Sequence, residues 1–405
     1  KICIKRGFAM SDMPLFFPQT IYSNKKGPVP RVMIAPQRYI QGAGVLANTG
    51  KYLQLLGAKQ VGILASTRGL NADAKTVIKS LREQGIEVHT AAFDGECSLQ
   101  EIDTQVDAFS DKFVDCLIAI GGGKCVDAGK CIAYRLGIEV VIIPTLASND
   151  APTSAVSVLY TPQGVSSGAE FFPQNPAMVI VDTQVVANAS PRYLVAGMGD
   201  AMATWYEARV CLKNPNATTI MGTRPTLAAN AISTICAETL YDVGEAALES
   251  VKANRVDEAL EKIVEANTLL SGLGFESGGL AVAHAVAQSY TNLPVVHANY
   301  LHGEMVAMGV LTQLMIEGDV NEANKAAEFF AKVGLPIHLG QLSVEVTDSE
   351  SLNLLAKETS AYATVSNMPM AITEAVALAG VIAAHELGLH VEDKIGNAAY
   401  MSLRA

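Results

Sequence analysis

No run of about 18 uninterrupted apolar residues occurs in this chain, although half of its 405 residues are hydrophobic. A membrane-spanning helix needs such a run, so no membrane partner is expected. Positive charge is not gathered either: 29 Lys and Arg lie scattered among 40 Asp and Glu, for a net charge of -11. That excludes a basic stripe of the kind that holds nucleic acid. The seven cysteines (Cys3, Cys97, Cys116, Cys125, Cys131, Cys211 and Cys236) are odd in number and contain no CxxC pair. They suit neither a disulfide frame nor a zinc cluster and read as reduced core thiols, so a cytoplasmic location is expected. Internal repeats and low-complexity segments are also missing. The nine residues before Met10 are set aside from fold reasoning; their apolar run is too short for a signal peptide.

What is present is organised around Cys116 to Lys130, CLIAIGGGKCVDAGK. Leu117 to Ile120 read as a buried strand, Gly121, Gly122 and Gly123 as a turn without side chains, and Lys124 to Ala128 as a helix opening. Such a turn lets backbone approach a bulky anion, while the N–H groups and dipole of the helix start favour a phosphate or pyrophosphate. It is no standard fingerprint: Ile118 and Cys125 break a Walker A loop, and Val126 replaces the last glycine of GxGxxG. By itself it reads equally well as a tight structural connection.

Its neighbours favour the ligand reading. Met10 to Pro30 is Pro-rich and aperiodic, an arm. Short strand patterns at Val61–Ala65, Ile86–Phe93, Leu117–Ile120, Glu139–Ile143, Val156–Thr161 and Met178–Val181 alternate with helical spacing at Asn71–Glu83, after Ser98, and up to about Tyr134. Ser98 followed by Glu101 has the spacing of a capping box. The alternation predicts an α/β amino-terminal domain, residues 10–190, with a doubly wound, mostly parallel sheet that binds ligands at its carboxyl strand ends. Both the glycine turn and the loop Pro144–Thr153 fall at such ends. After about Asn188 Ala-rich helical periodicity takes over. It predicts an all-helical carboxy-terminal domain, residues 191–405, with helices near 191–213, 225–252, 257–273, 279–290, 302–317, 320–332, 350–361 and 372–387.

Among only seven histidines, His284 sits in the apolar helix GGLAVAHAVAQ and His302 opens LHGEMVAMG. Asp200 lies in the small-residue helix AGMGDAMATWYEA, where a carboxylate needs a partner. A carboxylate and two imidazoles would make an N/N/O site for Zn²⁺ or Fe²⁺ with positions open to a substrate oxygen. The bland alternative is two satisfied core histidines and a capping or ion-paired aspartate.

In order, the phrases IGGGKCVDAGK, PTLASNDAPTSAVSVLYT, GMGDAMATWYEA, EANTLLSGLGFESGGLAVAHA and LHGEMVAMG resemble the glycerol dehydrogenases of the metal-dependent, iron-type alcohol dehydrogenase superfamily, over roughly Ile34 to Met370. The resemblance implies a dehydroquinate synthase-like architecture and NAD-dependent oxidation of a small polyol at a metal, in a homo-oligomer. Asp200, His284 and His302 would be the metal ligands. Gly121, Gly122, Gly123 and Lys124 would hold the cofactor pyrophosphate beside Thr145 and Ser148, with Ser154, Val156 and Tyr160 at the nicotinamide end. Asp150 would contact the substrate polyol. A second hydroxyl reaching the metal or Asp150 would favour vicinal diols over simple alcohols.

Four departures from the family pattern bear on these roles. Ser66 replaces the Asp that commonly binds the adenine ribose of NAD, and Arg68 follows it, which makes NADP an alternative cofactor. Ala287 stands where a further His is usual. The link from His284 to His302 is about one residue longer and contains His297, an alternative ligand. Met305 follows HGE where Lys is common. Two other functions share the architecture: a dehydroquinate synthase-like carbocyclic lyase, for which basic residues near the metal are few, and a non-catalytic relative, against which all three ligand positions are intact.

Overall fold

The computed structural model describes residues 15–23 and 27–404. The set-aside start, Cys3 and part of the Pro-rich arm lie outside them. The described part of the arm carries a short helix, Pro18–Tyr22, and a single bridge from Phe16 to Phe171.

Eight strands form among the described residues: β1 (Tyr39–Gly42), β2 (Gln60–Ala65), β3 (Glu87–Ala92), β4 (Cys116–Gly121), β5 (Glu139–Pro144), β6 (Val156–Tyr160), β7 (Ser166–Phe171) and β8 (Met178–Asp182). Six of them make one all-parallel sheet in the order β1-β8-β5-β4-β2-β3. Strands this apolar belong in a sheet covered on both sides. Ile63, Ile118, Ile143 and Ile180 pack on one face with Val77 and Leu81 of the helix Asp73–Glu83. Leu64 and Leu117 turn the other way, towards Ile102 and Phe109 of the helix Leu99–Ser110 and Ile132 of the helix Gly123–Leu136.

After β2 the chain adds β3 on one side, then returns to place β4 on the other. The order therefore reverses between β2 and β4, whose carboxyl ends carry Ser66 and Gly121. A parallel sheet opens a ligand crevice at such a reversal.

Two strands escape the sequence pattern. β1 is half-buried throughout, and β7, SSGAEF, has no apolar alternation. β6 leaves the main sheet and pairs antiparallel with β7 in a separate ribbon. Ser98 caps its helix, accepting from the Glu101 N–H at 3.2 Å, but the reciprocal half is missing: Glu101 accepts from the Asp94 N–H instead, at 3.0 Å.

From Pro191 onwards the described chain is helical. Its longer helices are Pro191–Lys213, Leu227–Lys252, Val282–Tyr290, His302–Glu317, Val320–Val333, Ser349–Ala361 and Glu374–Ile395. The stretch expected as one helix over 257–273 instead runs Glu258–Glu265, a π turn at Ala266–Leu270, then Ser271–Gly278. In the π turn Asn267 donates to the carbonyls of Ala147 and Leu194, both at 2.9 Å, joining the loop after β5 to the Asp200 helix. Such bulges are often found at functional sites. One described helix, Glu374–Ile395, is long and apolar enough to cross a bilayer by length and composition; it packs against the helices 302–317, 320–333 and 349–361. The six described cysteines are all buried and free.

Candidate active site

Asp200 and His302 meet because their helices cross with no side chains between them. A Cβ on Gly303 would lie 1.7 Å from the carbonyl oxygen of Ala196, and one on Gly199 would lie 2.3 Å from that of Gly303. Only glycine allows so close an approach, and each glycine is next in sequence to a candidate ligand.

His284 is set differently. Gly279, at a φ of +99°, ends the preceding helix, and the chain turns by 109° into the helix Val282–Tyr290. A helix start leaves its first N–H groups without internal partners. Here Glu207 Oε1 accepts from the N–H groups of Ala281 (2.7 Å) and His284 (3.0 Å). Gln313 Oε1 accepts from those of Val282 (3.1 Å) and Ala283 (3.0 Å). Two buried side chains from other helices thus cap this one, and the negative charge of Glu207 suits the positive end of its dipole.

Together these devices bring one ligand atom each of Asp200, His284 and His302 within 4.8 Å of one another. Asp200 Oδ1 lies 3.4 Å from Nε2 of both histidines. Asp200 is wholly buried, its Oδ2 accepts from the Asp150 N–H at 3.3 Å, and its Oδ1 has no hydrogen-bond partner. An orphaned buried carboxylate oxygen facing two imidazole nitrogens is a strong fit to a divalent cation. Behind His284, Glu207 Oε2 lies 2.5 Å from Nδ1. That bond fixes the tautomer in which Nε2 offers its lone pair.

The electrostatics agree. Burial lowers the affinity of His284 for a proton, yet the charges of Glu207 and Asp200 outweigh it and hold its pKa well above the usual imidazole value. Burial pushes the Asp200 carboxyl up, but His302 and His284 reverse this and hold it below the ordinary range. Burial, reinforced by the charge of Asp200, raises Asp150 well above the carboxylate range. Two buried carboxyls and the half-buried Asp150 around two imidazoles favour positive charge, whether protons or a metal ion.

The cofactor candidates adjoin this cluster. Gly121 ends β4, Gly122 caps the helix that Gly123 opens, and the Gly121 carbonyl accepts from the Thr145 N–H at 3.0 Å. Asn149 is the neighbour of Gly123: its Nδ2 would stand 2.9 Å from an added Cβ. The next residue, Asp150, touches Asp200 and accepts from Ser271 Oγ at 3.2 Å. One short loop therefore spans from glycine turn to metal cluster. Ser148 lies in that loop, 3.5 Å from Asn149 Nδ2. Lys124 pairs with Glu96 at 2.6 Å and lies 5.1 Å from the Tyr160 ring centroid. Ser154 and Val156 sit where the loop enters β6. Ser66 is an exposed N-cap, accepting from the Gly69 N–H at 3.1 Å, with Arg68 exposed beside it.

His297 turns away from the cluster to the Gly164 carbonyl in the β6–β7 turn, 2.8 Å away. Ala287 and Met305 are buried. Two buried acids escaped sequence reasoning. Glu207 follows Asp200 by seven residues, two helical turns on one face, a spacing that could have revealed it. Glu304 accepts from the Leu301 N–H at 2.8 Å and pairs with Arg192 (2.7 Å) and Arg404 (2.6 Å), pinning the helix start that carries His302.

Known proteins are similar to this chain in sequence and fold. The profile of the iron-containing alcohol dehydrogenase family matches residues 36–183. A glycerol dehydrogenase of Escherichia coli O6:H1 is 42% identical over 360 residues, spanning 88% of this chain and 97% of its own. A glycolaldehyde reductase of Halobacterium salinarum is 36% identical over 365 residues, spanning 90% and 99%. The crystal structure of glycerol dehydrogenase from Schizosaccharomyces pombe superposes with a TM-score of 0.87 at 33% identity, covering 92% of this chain and 95% of that one. Fold and sequence coincide over nearly the whole length: the chain belongs to the iron-containing alcohol dehydrogenase family, among its glycerol dehydrogenases, and is an oxidoreductase of alcohols and polyols.

Proposed function

We propose that this enzyme oxidises glycerol to dihydroxyacetone, or a closely related vicinal diol to its hydroxyketone, using a nicotinamide dinucleotide. The observation that carries the reading is the unpartnered Asp200 Oδ1 facing His284 and His302, one loop away from the glycine turn. Asp200, His284 and His302 would hold the ion; their N/N/O set suits zinc, and ferrous iron takes the same donors. A divalent ion there supplies Lewis acidity that brings an alcohol pKa towards neutrality, and the nicotinamide accepts the hydride.

The chain's own groups do the positioning. Glu207 keeps a proton on His284 Nδ1 and so leaves Nε2 free for the ion. Asp150 engages Ser271 through Oδ2, and its other oxygen is assigned to a substrate hydroxyl next to the reacting carbon. Gly121, Gly122, Gly123 and Lys124, with Thr145 and Ser148, are assigned to the pyrophosphate; Ser154, Val156 and Tyr160 to the nicotinamide; Ser66 to the adenine ribose. Without a carboxylate at 66 there is no repulsion of a 2′-phosphate, so NADP is accepted beside NAD. The domain division at 190/191 follows the end of β8 at Asp182 and the start of the Asp200 helix. A cytoplasmic homo-oligomer completes the reading, its location supported by the buried free thiols.

The test is NAD(P) reduction across a panel of polyols and alcohols, before and after chelation. Turnover of glycerol that chelator abolishes and zinc restores is expected. Equal turnover of 1-propanol and 1,2-propanediol would refute the assignment of a second hydroxyl to Asp150.

A further inference from the structure

Between Asp150 and β6 the chain has little regular structure of its own, only the single turn Ala151–Thr153. It is fastened instead by two buried polar side chains to which the chemistry above gives no part. Lys130, at the end of the GGGKCVDAGK motif, is 2% exposed. Its ammonium donates to the Ala151 carbonyl (3.0 Å), to Ser154 Oγ (3.2 Å) and to the Val156 carbonyl, and pairs with Asp127 Oδ1 at 2.9 Å. Lysine has three N–H groups, so every donor has an acceptor.

Glu276, 1% exposed, acts from the helical side. Its Oε1 accepts from the Ala155 N–H at 2.7 Å and its Oε2 from Asn175 Nδ2 at 2.6 Å. The same Asn175 nitrogen donates to the Thr153 carbonyl at 2.9 Å. Residues 151, 153, 154, 155 and 156 are therefore each tied to Lys130, or to Glu276 directly or through Asn175. Burying an ammonium and a carboxyl is costly unless their hydrogen bonds are complete. Their bonds converge on this one loop.

We infer that Lys130 and Glu276 are positioning residues for the reaction: they clamp Ala151–Val156 from opposite sides and so fix Asp150 against substrate and Ser154 and Val156 against nicotinamide. This rests on the functional reading above for what the loop touches, but not for the clamp itself.

The experiment uses full-length, zinc-loaded enzyme with Lys130→Met, which keeps the stem and removes the charge, and Glu276→Gln, which keeps one acceptor. Hydrogen–deuterium exchange of peptides covering 151–158 reads the clamp without reference to activity. Both variants are expected to exchange there about tenfold faster or more, the Met variant more than the Gln variant, with metal content unchanged. For glycerol, kcat falls about tenfold or more with a smaller change in KM, since misplacing groups by ~1 Å costs up to about 10²-fold. Unchanged exchange at 151–158, or loss of metal in step with activity, overturns the clamp. Should Lys130→Met fail to fold, Glu276→Gln alone decides by the same criteria. A wild-type enzyme that turns over no polyol refutes the functional reading while the exchange result still judges the clamp.

Discussion

Replacing Gly303 by Ala tests whether contact between two helix backbones sets the ligand geometry. The new Cβ would stand 1.7 Å from the Ala196 carbonyl oxygen, whereas real Cβ contacts stay beyond 3.0 Å. The helices must part by at least 1.3 Å, the difference between these values. Ala196 lies one turn before Asp200, and Gly303 follows His302, so the movement acts on the ligand pair itself. Added along the line between them, it stretches the 3.4 Å from Asp200 Oδ1 to His302 Nε2 to 4.7 Å (3.4 + 1.3). Ligand atoms about 2.0–2.1 Å from a zinc ion stand no more than about 4.2 Å apart. Overpacking also costs about 1–3 kcal/mol of stability, which a domain of this size survives. The expected variant is folded, melts lower than wild type, and binds zinc at least about tenfold more weakly in competition with a chelator (about 1.4 kcal/mol). Wild-type zinc affinity with only a lowered melting temperature would refute the argument.

Three other perturbations probe the remaining parts. Glu207→Gln removes the charge behind His284 while keeping its shape, and zinc affinity should fall about 10–100-fold; unchanged chelator competition would show that Glu207 only caps the helix. Burial pushes the Glu276 carboxyl from 4.5 up to about 7, against the Ala155 N–H, Asn175 and Lys130. Because this folded pKa is raised, the stability it contributes is fully present below pH 4.5 and is lost as pH rises through about 7. The gap amounts to about 3 kcal/mol, so Glu276→Gln should flatten the fall in urea stability over that window, and parallel pH profiles would contradict it. Ser66→Asp should cut kcat/KM with NADP more than about tenfold while sparing NAD (about 1.4 kcal/mol); equal loss with both cofactors would remove Ser66 from the adenine ribose site.

Much of the fold is legible because its strands are buried on both faces: Leu117–Ile120 and Met178–Val181 announce themselves by composition alone. β1 and β7 do not, since neither has a periodic apolar pattern; pairing with the distant β8 and with the neighbouring β6 supplies what composition withholds. The sequence by itself determined the side-chain-free turn at Gly121–Gly123 and the odd placement of Asp200, His284 and His302 in apolar helices, because those are local violations of composition. Only the tertiary structure decided that the three converge, that Glu207 and Gln313 cap a helix to which neither belongs, and that Lys130 and Glu276 seize one loop from opposite sides. Hydrogen bonds between residues 21 to 121 positions apart leave no periodic trace in a sequence; they form only once the fold has brought the separate segments together.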